Sequence, residues 1–327
     1  MITVAINGFG RIGRVILREA LKRDDIKIVA CNDISNWEIL AYLFEFDSTH
    51  GPLHKEVLLK DNMLLVGNQE VKLSNESHFQ IKDVDFVLEC SGKLTSSSEV
   101  NYHLDNGVKH VIIGANTKDN TPTFVFGANT HLYRGEKIIS NASCTTNCIA
   151  SICKIIDSNF NIRSGTLSTV HSYTNDQALV DSAHRSDKRR SRASATNIVP
   201  TTTNAALALH KVLPNLKGKM HGHSLRVPVI DVSMSDLSFS VEKETSKEEL
   251  NALFTKHSET DLKGILKVDS KYRVSSDFLG ESASSIVALD LTFTIKDMIK
   301  VMAWYDNECG YANRMLDMCK FMQSYKV

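Results

Sequence analysis

Thr3-Val4-Ala5-Ile6-Asn7-Gly8-Phe9-Gly10-Arg11-Ile12-Gly13 decides the fold. Thr3 to Ile6 form a short apolar strand. Gly-x-Gly-x-x-Gly follows at once, and a helical run continues through Val15, Ile16, Leu17, Ala20 and Leu21. A second strand, Ile26 to Cys31, ends at Asn32-Asp33. The glycine spacing alone is common. Between a strand and a helix, with an acid about twenty residues further on at a strand end, it marks the nucleotide turn of a doubly wound, mostly parallel α/β sheet.

Each residue of the turn has a physical task. Gly8 allows the tight turn, and Gly10 lets a pyrophosphate approach the N–H groups at the helix start. Gly13 lets the helix pack close to the sheet. Asn7, Arg11 and Ile12 complete the candidate cofactor contacts. Asp33 can accept both ribose hydroxyls of NAD, and its charge repels the extra phosphate of NADP.

The α/β rhythm continues. Trp37 to Phe46 reads as a helix, and Val57 to Val71 as short strands around a hairpin at Gly67-Asn68. Val84 to Cys90, Val108 to Gly114 and Thr123 to Phe126 read as strands. Ser91 and Gly92, at a strand end on the crevice edge, either line the nicotinamide half or are plain loop residues.

Ser140-Asn141-Ala142-Ser143-Cys144-Thr145-Thr146-Asn147-Cys148 then places a cysteine in the first turn of an amphipathic helix, with Ser143 as its N-cap. Unpaired N–H groups there favour a thiolate and can hold an oxyanion. Position alone leaves Cys144 open between a nucleophile and a buried structural thiol; Cys148 fits the second description. His171, near the end of the strand Gly165 to His171, is either a structural hydrogen-bonder or the base such a nucleophile needs.

Further along, Asp187-Lys188-Arg189-Arg190-Ser191-Arg192 is a basic cluster, read as a solvated or interface loop or an anion clamp rather than a nucleic-acid site. Thr201-Thr202-Thr203-Asn204 before the helical run Ala205 to Leu213 is either a phosphate cradle or an ordinary cap. Arg226, among apolar neighbours, calls for an anion, either a ligand or an internal carboxylate. Val229 to Val241, Ser285 to Phe293 and Met298 to Tyr305 read as long alternating strands of a mostly antiparallel sheet. Ser246 to His257 and Tyr311 to Tyr325 read as helices, with Asp306-Asn307-Glu308 as a turn.

Composition excludes several classes. Basic and acidic side chains balance at 38 each over 327 residues, so charge points to neither nucleic acid nor membrane. Seven scattered cysteines without a Cys-x-x-Cys pair argue against disulfides and zinc, so no metal is expected. The start carries no basic leader with an apolar core, and no run is long enough to span a bilayer. A reducing cytoplasm is the expected compartment.

Together, Ile6 to Arg14, Ser140 to Cys148, His171 to Gln177, Arg226-Val227-Pro228 and Trp304 to Glu308 resemble the phosphorylating glyceraldehyde-3-phosphate dehydrogenases over essentially the whole chain. The resemblance implies a Rossmann dinucleotide-binding domain over 1–143, to which a last segment, 309–327, returns. It also implies an α+β catalytic domain over 144–308, and a homotetramer. It implies Cys144 as nucleophile and His171 as its activator. Thr174 and Arg226 would hold the substrate phosphate. Ser143, Thr145, Arg190 and Thr203 would hold the attacking inorganic phosphate, and Asn307 the nicotinamide carboxamide. The activity implied is reversible oxidation of glyceraldehyde 3-phosphate to 1,3-bisphosphoglycerate through a cysteine thioester, as in glycolysis and gluconeogenesis.

Some positions depart from the family pattern. Asn204 replaces the usual glycine and becomes a further candidate phosphate contact. Gly114-Ala115-Asn116 replaces Ser-Ala-Pro. Ile34 and Ala183 stand where strict NAD users often have leucine and proline, so NADP is kept as a possible second cofactor. The alternatives are erythrose-4-phosphate oxidation, which opens the thioester with water, and a non-catalytic nucleotide- or RNA-binding role.

Overall fold

The computed structural model describes residues 1–325, so the last two residues of the segment 309–327 lie outside the described residues. The chain divides into two compact units. One holds Met1–Phe124, His131–Ser143 and the chain from Tyr311 on; the other holds Val125–Thr130 and Cys144–Gly310.

The first unit is built on an eight-stranded sheet. Ile2–Asn7 lies at its centre between Ile26–Asn32 on one side and Phe86–Glu89 on the other, all parallel. Beyond Phe86–Glu89 come His110–Ile113 and Ile138–Ser140, also parallel. Chain order reverses at the first strand, which opens a crevice at the carboxyl ends of Ile2–Asn7 and Phe86–Glu89. The central strands are buried on both faces: Val4, Ala5, Ile6, Phe86, Val87 and Leu88 have no exposed surface. The helix Cys309–Ser324 carries Asp317, which pairs with Arg23 at 2.7 Å.

Two expectations change here. Thr123 to Phe126 is not a strand: Thr123 makes only an isolated bridge to Ser140. Two backbone bonds hold this stretch, Ser140 N to Pro122 O and Phe124 N to Ser140 O. The chain then turns through Gly127, at φ +77°. The hairpin region holds two turns. Asp61 and Asn62 are both left-handed and join Val57–Lys60 to Met63–Val66; Gly67-Asn68 joins the latter to Gln69–Ser74. Gln69–Ser74 pairs parallel with Ile26–Asn32, so the hairpin extends the main sheet rather than leaving it.

The second unit carries another eight-stranded sheet, mostly antiparallel. Its order runs Val199–Thr202, Met220–Val227, Ile162–Ser172, Ser233–Val241, Met298–Tyr305, Ser285–Ala288, Leu266–Asp269, with Phe293–Ile295 against Met298–Tyr305. Two pairs are parallel: Leu266–Asp269 with Ser285–Ala288, and Ile162–Ser172 with Met220–Val227, in which His171 stands opposite Arg226. Strict alternation of buried and half-buried residues along Ser233–Val241 gives the sheet one core face. The helix Cys144–Phe160 packs on the central strands.

Two expected strands are shorter than read. Val229 to Val241 starts only at Ser233, because Val229 N closes a tight turn on Val227 O and Val232 is left-handed, at φ +66°. Ser285 to Phe293 breaks after Ala288, where Leu291 N turns back to Ala288 O.

Candidate active site

In the first unit the glycine turn has the geometry its spacing requires. Gly8 is at φ +97°, and a Cβ there would stand 2.5 Å from Ser91 N. A Cβ at Gly13 would stand 2.2 Å from Gly8 O, so only glycine lets the helix Arg11–Ala20 come this close. A Cβ at Gly10 would meet nothing within 4 Å. Gly10 is the N-cap, makes no side-chain cap bond, and no acid lies in the first turn. Open N–H groups at a helix start, with space before them, fit a dinucleotide pyrophosphate.

The rest of this edge is pre-ordered. Asp33 accepts Phe9 N at 2.8 Å and Ser35 N at 2.9 Å, which fixes its carboxylate at the strand end beside the turn. Asn7 donates to Glu89 at 2.5 Å, and Ser91 donates to the same carboxylate from its amide and its hydroxyl. Burial pushes the Glu89 carboxyl up, while these donors pull it back. Glu89 was not among the candidates, since a carboxylate ending a buried strand carries no local signal of its partners. Arg11 pairs with Asp47 at 2.5 Å rather than standing free. Gly114 explains one departure from the family pattern: a Cβ there would lie 3.0 Å from Glu89 O and 3.3 Å from Met315 Cε.

The turn into the Cys144 helix is tight. Ala142 is left-handed at φ +55°, a conformation that a side chain disfavours, and it is pinned by Ser140 Oγ on its amide and Tyr311 OH on its carbonyl. Ser143 is half-buried directly before the helix.

Cys144 is the first residue of that helix, and its Sγ lies 3.6 Å from His171 Nε2. His171 Nδ1 lies 2.8 Å from Ser172 O and 2.7 Å from Arg226 Nη1. Burial pushes the Cys144 thiol up; the Arg226 charge and the Thr145 hydroxyl and amide oppose it. Burial and then the Arg226 charge push His171 down to about 3. The expectation that the helix start alone favours a thiolate is therefore corrected: desolvation outweighs it, and each group taken singly is neutral near pH 7. What favours charge here is the pair, because a proton passed from sulfur to imidazole creates two opposite charges in contact. Cys148, one turn on, is fully buried, and its thiol is pushed up to about 12.

Residues outside the candidate set shape this centre. Tyr305 OH lies 3.0 Å from Thr145 Oγ1 and 2.9 Å from Thr169 Oγ1. With the Thr145 hydroxyl donating to sulfur, Tyr305 donates to Thr145 and Thr169 to Tyr305, so three hydroxyls line up toward Cys144. Asn307 Oδ1 accepts from Ser172 Oγ at 3.0 Å and Ser233 Oγ at 2.6 Å, which leaves its Nδ2 as the outward donor.

The remaining candidates sit around this core. Thr174 is exposed and bonds to Gln177 Oε1 through its amide and hydroxyl. Arg190 is paired with Asp176 and donates to Thr201 Oγ1 at 2.7 Å, so the basic cluster is partly neutralised from within. Thr203 Oγ1 accepts Ala205 N at 3.2 Å as an ordinary cap would; Asn204 is the exposed N-cap of Ala205–Val212 and makes no cap bond.

Comparison with known proteins agrees with this geometry. Residues 2–97 match the family described as glyceraldehyde 3-phosphate dehydrogenase, NAD binding domain, and residues 143–307 match its C-terminal domain. A curated glyceraldehyde-3-phosphate dehydrogenase of Helicobacter pylori (strain J99) is 53% identical, covering 98% of this chain and 99% of the relative. One from Geobacillus stearothermophilus is 44% identical over 99% and 98%. One from Chlamydia pneumoniae is 43% identical over 98% of both. With both halves of the chain matched and relatives of this similarity covering nearly all of it, the chain belongs to the glyceraldehyde-3-phosphate dehydrogenase family.

Proposed function

We propose that Cys144 and His171 carry the covalent chemistry of a phosphorylating, NAD-dependent oxidation of glyceraldehyde 3-phosphate. The observation that supports this most is the 3.6 Å approach of Cys144 Sγ to His171 Nε2 at a helix start. His171 takes the thiol proton, and the thiolate adds to the aldehyde carbon. The oxyanion so formed is held by an N–H of the helix start and by protonated His171. NAD, when bound, supplies the hydride acceptor. The thioester left on Cys144 is opened by inorganic phosphate, which gives 1,3-bisphosphoglycerate.

Gly8, Gly10, Arg11, Ile12 and Gly13 would hold the pyrophosphate, Asp33 the ribose, and Asn7, Ser91 and Gly92 the edge toward the nicotinamide. Asn307 Nδ2 would donate to the carboxamide. Arg226 and Thr174 take the substrate phosphate; Ser143, Thr145, Arg190, Thr203 and Asn204 take the attacking one. A homotetramer is supported by exposed apolar side chains along one stretch, Ile39, Tyr42, Leu43 and Phe46. No helix among the described residues is long and apolar enough to cross a membrane, and all seven cysteines are free, which supports a reducing cytoplasm.

The test is nicotinamide reduction with glyceraldehyde 3-phosphate, with and without inorganic phosphate. Wild type should depend on phosphate. Cys144→Ser should lose about 10³-fold or more in rate while still binding NAD. Retention of most activity by that variant would remove the covalent scheme.

A further inference from the structure

Arg226 contacts the wrong side of a base. Its Nη1 lies 2.7 Å from His171 Nδ1 and 3.1 Å from Ser172 O, while His171 Nδ1 also lies 2.8 Å from Ser172 O. A guanidinium N–H only donates. Nδ1 therefore cannot give its proton to Ser172 O and accept from Arg226 together. With Arg226 in place, the imidazole proton belongs on Nε2, facing Cys144, where it blocks the lone pair that would take the thiol proton. Without Arg226 on it, Nδ1–H donates to Ser172 O and Nε2 is free to act as base.

The arginine itself is under-satisfied. Its Nε is buried with no hydrogen-bond partner, and it pairs with no carboxylate, among the described residues. A desolvated guanidinium of this kind favours a charged acceptor over a ring nitrogen and a carbonyl, since charge-assisted bonds are roughly twice as strong. His171 and Arg226 are cross-strand partners in the parallel ladder, so the contact is set by register, while the guanidinium at the end of its long stem can turn away. The other ionisable groups that bear on the Cys144–His171 pair are the buried Tyr305 phenol and the Asp231 carboxyl.

We propose that Arg226 is a tautomer switch: until the substrate's phosphate draws it away, it holds His171 in the form that cannot activate Cys144. This rests on the reading that Arg226 binds that phosphate. On anion arrival the Nε2 proton leaves to solvent and Nδ1 takes one from solvent, with no net change. Nε2 then accepts the Cys144 proton, so the nucleophile is activated only beside a phosphorylated substrate. Arg226 acts here as a positioning residue in addition to holding phosphate.

The experiment is 15N NMR on the full protein labelled at histidine, with the His171 signals assigned by their loss in His171→Asn. Glycerol 3-phosphate, which has the phosphate but no aldehyde, is the probe. In the free protein, Nε2 should carry the proton; saturating glycerol 3-phosphate should move the tautomer ratio at least about 10-fold toward Nδ1–H. Arg226→Met should show Nδ1–H without any ligand. Nδ1–H already dominant in free wild type, or a ratio unmoved by bound glycerol 3-phosphate, would overturn the switch. If phosphate-dependent turnover persists in either case, the functional reading stands without it. Failure of glycerol 3-phosphate to compete with the aldehyde would overturn both the switch and the phosphate role of Arg226.

Discussion

Ser233 donates its hydroxyl to Asn307 Oδ1 at 2.6 Å. Because Ser172 donates to the same oxygen, the amide of Asn307 is oriented by two hydroxyls that never touch the reacting atoms. Ser233→Ala should let the amide rotate and raise KM for NAD about 5-fold, the worth of one hydrogen bond. The rate of Cys144 alkylation by iodoacetamide should not change. Ser172→Ala with Ser233→Ala should approach the effect of Asn307→Ala. An unchanged KM in the double variant would contradict this role.

The glycine turn separates space for a ligand from space for the fold. Gly10→Ala should change stability by under about 1 kcal/mol, because its Cβ meets nothing in the protein. It should weaken NAD binding about 10-fold or more, since the methyl would occupy the place of the pyrophosphate. Gly13→Ala should cost about 3 kcal/mol of stability, because its Cβ would overlap Gly8 O. Urea unfolding and NAD titration read the two effects independently, and equal stabilities for the two variants would refute the distinction.

Asp231 sets a pH dependence of stability. It is 2% exposed, and burial, then the charges of Asp306 and Glu308, push its carboxyl far above the ordinary range. A folded-state pKa above the unfolded one means that the folded chain binds the proton more tightly. Its stabilisation is full below the unfolded pKa, about 3.9, and is lost as pH rises toward the raised folded value. Asp231→Asn removes this titration. Between about pH 6 and about pH 9 the variant's unfolding free energy should fall less than that of wild type. Parallel curves would show that the proton is not held there.

Much of this was legible in the chain. The nucleotide turn, the central parallel strands and the helix that starts at Cys144 follow from local patterns, because each is dictated within about a dozen residues. Thr123 to Phe126 misleads because apolar alternation does not reveal whether a partner strand runs alongside. Val229 to Ser233 misleads because a left-handed valine has no sequence signature. Period-2 alternation reads Tyr305 as core, which it is, but its bonds to Thr145 and Thr169 depend on pairing between segments far apart in sequence. The same holds for Ser172 and Ser233. Alternation gives the face of a strand; it does not give the register that turns neighbours into partners.

That register also sets which changes of length the enzyme can absorb. His171 and Arg226 face each other because Gly165 to Ser172 runs in step with Met220 to Val227. Insertions in the connection between Val212 and Met220 would leave the two in place. Deleting one residue between Met220 and Arg226 would send the arginine to the opposite face of the sheet. Families of this chain can therefore drift freely in loop length there, while within those few strand positions every viable indel must come as a compensated pair.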